Sequence, residues 1–118
     1  MSNSSTPIPN HIDLYRNVHF RFLMAESEIS PFAYQPRLPE KDKDGVSVGV
    51  YFKKEREKKK FKFNNHSLYK VLADVPLRCG YDCIHTGGRH GLITGDVEKL
   101  FNDMDTLIEL AENSIFIF

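Results

Sequence analysis

The stretch Val46–Phe52, VSVGVYF, is the clearest strand in the chain. Val46, Val48, Val50 and Phe52 alternate with Ser47, Gly49 and Tyr51, and a period of two puts the first set on one face of a sheet. Upstream, the segment from Ile29 to Gly45 carries Pro31, Pro36 and Pro39 and ends in EKDKDG, which reads as an extended loop with a turn at Asp44-Gly45. Before it, Val18, Phe20 and Phe22 alternate with His19, Arg21 and Leu23, a second strand with one buried face. Residues 1–10 are polar, contain Pro7 and Pro9, and are expected to form a flexible leader.

Downstream, Asn65 or Ser67 can cap a short helix over Leu68–Ala73 that Pro76 ends. YDCIHT and GLITG read as short strands on either side of a glycine turn. Asp96 is a good N-cap for a long helix over Val97–Glu112, whose apolar stripe is Leu100, Met104, Leu107 and Ile108. The closing IFIF is either a last strand or a tail against the core. This order predicts an α+β fold: one compact domain over residues 11–118, a mainly antiparallel sheet, one short helix and one long one.

The 118 residues make one domain, and 41% apolar residues, with nine Phe and five Tyr, give it a core without help from a disulfide or a metal. No cofactor is called for. Sixteen basic residues balance sixteen acidic ones, so net charge selects no partner. The charges are segregated, however. Lys53–Lys62, KKEREKKKFK, holds seven positive and two negative residues, whereas residues 91–118 hold six acids and only Lys99 as a base. No apolar run is long enough to cross a bilayer and the first residues lack the features of a signal peptide, so no membrane contact and a cytoplasmic location are expected. The two cysteines are then reduced thiols.

The chemistry concentrates in CIHTGGRHG, Cys83–Gly91. Cys79, Cys83, His85 and His90 are a thiolate and imidazole set suited to zinc, although all four fall within twelve residues rather than in two knuckles. Gly87 and Gly88 can turn successive backbone N–H groups toward an anion, with the Arg89 guanidinium beside them. His90 and His85 are candidate acid–base groups with Arg89 as the phosphate contact; Arg16, Ser47 and Tyr15 can join them across the sheet. The plainer reading is a hairpin turn with Arg89 in water. The run Lys53–Lys62 with Phe61 and Phe63 suits a phosphate backbone with stacked bases, and equally an edge strand guarded by lysines.

Four separated pieces, YRNVHF (Tyr15–Phe20), ISPFAYQP (Ile29–Pro36), DGVSV (Asp44–Val48) and RHGLITG (Arg89–Gly95), give the chain a resemblance to a group of small uncharacterised bacterial proteins. The matching positions are Arg16, His19, Ala33, Tyr34, Pro36, Ser47, Val48 and His90. The resemblance implies a shared fold and a choice of residues to test, and it supplies no reaction.

Three functions follow from these residues. The leading expectation is a binding or regulatory module that meets a protein partner or a second copy of itself, since the apolar IFIF must be covered. The alternative is a small enzyme or toxin-like protein acting on a nucleotide or RNA phosphate through the Gly-Gly-Arg-His turn. The third is a zinc-stabilised interaction domain.

Overall fold

The structure is a computed structural model that describes residues 5–25 and 28–118. Among the described residues seven strands form one antiparallel sheet: β1 (Thr6–Pro7), β2 (Asp13–His19), β3 (Val46–Gly49), β4 (His66–Leu72), β5 (Asp82–Gly87), β6 (His90–Thr94) and β7 (Ile115–Phe116). Their order is β1-β5-β6-β3-β2-β4-β7. Four α-helices among the same residues accompany them: α1 (Glu55–Phe61), α2 (Asp74–Arg78), α3 (Val97–Asn102) and α4 (Met104–Glu112). The fold is α+β, as the order of strand and helix patterns predicts.

The register decides which face carries the core. Leu14 lies opposite Val71, Val46 opposite Ile93 and Val48 opposite Gly91, so one side of the sheet presents Leu14, Val18, Val46, Val48, Val71 and Ile93. All six are buried, beneath Leu100 of α3, Leu107 and Leu110 of α4, and Tyr34. Each large aliphatic side chain removed from water in this way contributes about 1.5–3 kcal/mol, which makes this face the main source of stability. On the opposite face lie Tyr15, Gly49 and the ring of Phe52, crossed by α1. The acidic α3–α4 pair and the basic α1 therefore sit on opposite sides of the sheet.

Several local expectations are overturned. The strand expected over Val18–Leu23 ends at His19, as the end of β2; Phe20–Phe22 is a 3-10 turn, capped by His19 Nδ1 accepting from the Arg21 N–H at 3.0 Å. β3 stops at Gly49, and Tyr51 takes a left-handed φ of 58° as the chain turns away. The basic run forms α1 instead of an edge strand. The Glu57 carboxylate accepts from the N–H groups of Lys53 and Lys54 at 2.6 and 3.3 Å, satisfying donors at the helix start.

The helix expected over Leu68–Ala73 is strand β4, paired with β2 along its whole length; tertiary pairing overrides a weak local helix signal. Pro76 lies inside α2, in its first turn, where no N–H is needed. The long helix is broken at Asp103, whose carboxylate accepts from the Thr106 N–H at 3.2 Å, the Thr106 hydroxyl at 2.7 Å and the Tyr81 hydroxyl at 2.8 Å. Asp103 thereby starts a new helix rather than continuing the old one.

The second half of the expected leader belongs to the sheet. Thr6 pairs with His85, Pro7 with Ile84, and the Ile8 side chain is buried over Gly91. Residues 1–4 of that leader lie outside the described residues. At the other end, Ile115 and Phe116 pair with β4, so IFIF supplies the last strand.

Candidate functional site

β2 and β4 pair over seven residues, but β2 and β3 share a single pair, Tyr15 with Gly49. Beyond it the two strands splay, and Arg16 bridges the gap. Its Nη1 donates to the Ser47 carbonyl at 2.9 Å and its Nε to the Ala33 carbonyl at 3.0 Å. Ala33 arrives on a second 3-10 turn, Pro31–Tyr34, which Ser30 caps and which the Tyr34 hydroxyl, 2.7 Å from Ser114 Oγ, anchors to the end of α4. Burial lowers the Arg16 pKa while Tyr34 and Asp42 oppose the shift, and a guanidinium remains charged under such conditions.

The splayed strands open a cleft of about 950 Å³. Arg16, Arg21 and Arg37 line it, together with His19, His66 and His90, and no carboxylate is among the described residues of its wall. Five phenylalanines share the wall: Phe22, Phe32 and Phe101 toward the α3 side, Phe61 and Phe63 where α1 ends. Arg37 is oriented by Asp42, which accepts from its Nε at 2.9 Å, its Nη2 at 3.2 Å and its backbone N–H at 2.8 Å. The Arg37 side chain nonetheless keeps 62% of its surface exposed. Burial pushes the Asp42 carboxyl up, and the hydrogen bonds from Arg37 outweigh it to hold the carboxyl below its ordinary value. Arg21 lies over the Phe22 ring, 4.8 Å from its centroid.

Two of the histidines meet edge to face across the β2–β4 ladder, His19 and His66, with centroids 5.0 Å apart. His19 Nδ1 accepts from a backbone N–H, so its proton sits on Nε2. His66 Nδ1 lies 2.7 Å from the Asn64 carbonyl, which can only accept, so Nδ1 is the donor there. An imidazole ring, like the other aromatic side chains, can stack on an unpaired nucleobase. Phe63 packs against His66 at 5.5 Å.

The glycine turn has a different character. Arg89 donates through Nη2 to Glu57 Oε2 at 2.7 Å and through Nε to Oε1 at 3.2 Å, tying the turn to α1. His85 Nε2 donates to the Gly88 carbonyl at 2.9 Å, closing the turn on itself. Gly87 and Gly88 adopt φ of 144° and 56°, as the reversal requires. Of that segment, only His90 reaches the cleft, where Arg16 and Ser47 also lie. Tyr15 is on the other side of Phe52, under α1.

The proposed zinc ligands do not converge. Cys83 points into the core with its thiol 3.9 Å from the Ala73 carbonyl, while His90 faces the opposite side of the sheet. Among the described residues no three His, Cys, Asp or Glu side chains are grouped for a metal. No helix among them is long and apolar enough to cross a membrane.

His66, Arg21 and Arg37 were not among the sequence candidates, and His19 entered only through the resemblance. A faint signal existed in the paired triplets Asn17-Val18-His19 and Asn64-Asn65-His66, each ending in a histidine at a strand terminus. That these termini are partners is a matter of register. No family model matches the chain, nor does a curated protein or a solved structure.

Proposed function

We propose that the protein binds a nucleotide in the cleft between β2 and β3, with its phosphate on the arginines and its base among the phenylalanines and the His19–His66 pair. The observation that carries this reading is a wall of three arginines and three histidines, without a carboxylate among its described residues, interleaved with five aromatic rings. Positive charge on three guanidinium groups, one of them partly buried, favours phosphate, and phenylalanine faces favour a planar base. The volume is in the range of ordinary ligand pockets. The Gly-Gly-Arg-His turn contributes His90, and its Arg89 serves to hold α1 in place.

Thermal unfolding with each ribonucleoside 5′-monophosphate tests the reading. A ligand at a hundred times its Kd raises stability by about 2.7 kcal/mol, and the midpoint should rise by several degrees. Arg21→Ala and Phe63→Ala should each remove most of that rise. Equal shifts from inorganic phosphate alone, or none from any nucleotide at millimolar concentration, would reject it.

A second reading, self-association, is favoured by β7. Ile115 and Phe116 remain 58% and 50% exposed on a strand that pairs on one side only. A monomer mass by light scattering at high micromolar concentration would dismiss it.

A further inference from the structure

We infer that the cleft's ligand is part of a longer chain: α1 continues the site as a track for a single polynucleotide strand. The inference rests on the nucleotide reading above and names its substrate class. Helix α1 ends at Phe61, and Phe61 and Phe63 stand in the cleft wall, their rings stacked at 6.4 Å. The charge of the helix therefore begins where the aromatic wall ends.

That charge is available. Of the two acids in the run, Glu57 is held by Arg89 and Glu55 by Lys58, at 2.7 and 3.7 Å. Lys53, Lys54, Arg56, Lys59 and Lys60 are exposed and paired with no carboxylate among the described residues. Lys59 lies instead over the Phe118 ring, at 5.5 Å. The sheet keeps the acidic α3–α4 pair on its far side. Seven helical residues extend the site by about 10 Å beyond the cleft, too far for one mononucleotide and suited to successive phosphates. Aromatic platforms joined to a basic groove bind single strands with little preference for sequence.

Fluorescence polarisation with labelled oligouridylates and oligothymidylates of about two to ten nucleotides is the experiment, run beside uridine monophosphate as competitor. Affinity should rise with length to about four nucleotides or more and then level off. The logarithm of affinity should fall linearly with that of salt concentration. In the double variant Arg56→Gln, Lys60→Gln the slope should shrink by about 1.4, since each strand phosphate contact contributes about 0.7. Glutamine keeps the helix, and circular dichroism checks that it does. Either polymer satisfies the inference, the tighter one naming its source. Mononucleotide binding with no gain from length overturns the track and leaves the cleft reading standing. An unchanged slope in the double variant overturns it too. No binding by monomer or oligomer removes both.

Discussion

Arg16 Nη1 donates to the Ser47 carbonyl across 2.9 Å where the ladder between β2 and β3 has stopped. A side chain closes a gap that a backbone pair would close in a regular sheet, and the cleft exists because the gap is there. The same guanidinium holds the Pro31–Tyr34 turn through Ala33, so one residue sets both the floor of the site and one of its walls.

Arg16→Met should therefore destabilise the fold as well as weaken nucleotide binding. Two carbonyls lose their donor, at about 1–3 kcal/mol for each one left without a partner away from water. Urea denaturation would show this as a lower midpoint at constant slope. A midpoint equal to wild type would mean that the bridge has no structural role.

Gly49→Ala tests the packing of α1 on the sheet. A Cβ there would meet the Phe52 ring at 2.7 Å and the Phe61 ring at 2.9 Å, so both rings must move. Overpacking of this kind costs about 1–3 kcal/mol, and displacement of Phe61 should lower ligand affinity as well. Gly91→Ala is the control at a stiffer place, since its Cβ would meet the Ile84 carbonyl oxygen at 2.9 Å, and its register partner Val48 puts it on the core face rather than the face of Gly49 and Phe61. It should lower the urea midpoint with less effect on binding.

The Arg89–Glu57 pair gives stability a pH dependence of known sign. The hydrogen bonds from Arg89, then those from the Lys53 and Lys54 backbone, lower the Glu57 carboxyl to about 2. Because the folded value lies below that of an unfolded glutamate, about 4.3, the contribution is complete above that pH and is lost as pH falls toward 2. The pair is partly exposed, which damps the effect. Glu57→Gln should have a lower melting temperature than wild type near neutrality, and the difference should close by pH 2. A constant difference across that range would refute the assignment.

The two thiols should differ sharply in reactivity. Cys83 is buried, and burial, reinforced by Asp82, pushes its pKa up to about 12. The thiolate is the reactive form, so Cys83 should resist alkylation in the native state at pH 8. Cys79 is partly exposed and should be modified first. Mass spectrometry should find one label on the folded protein and two in denaturant. Two labels in the native state would show that the core face opens readily.

Much of the fold was legible because local signals and tertiary structure agree over several elements. Asp96 accepts from the Lys99 N–H at 3.0 Å, as expected of the cap before Val97. The strands at YDCIHT and GLITG form within two residues of their expected limits, since alternation and glycine punctuation are local properties. Failures came where a remote group decided the matter. Glu57 with Arg89 made a helix of the basic run, Tyr81 helped Asp103 to break a helix in two, and pairing with β2 made a strand of residues 66–72.

The site divides along the same line. Sequence alone determined the class of fold, the apolar stripes that form its core, the segregation of charge into a basic run and an acidic end, and the presence of Arg16, Ser47 and His90 as groups able to act. Tertiary structure decided what those groups are near. It bound Arg89 to Glu57 and turned His85 onto its own loop, and it brought Arg21, Arg37, His19 and His66 together from segments up to forty-seven residues apart. The physical reason is that hydrophobic periodicity is written along the chain, whereas strand register, and the point at which two strands part, is set by contacts between residues distant in sequence.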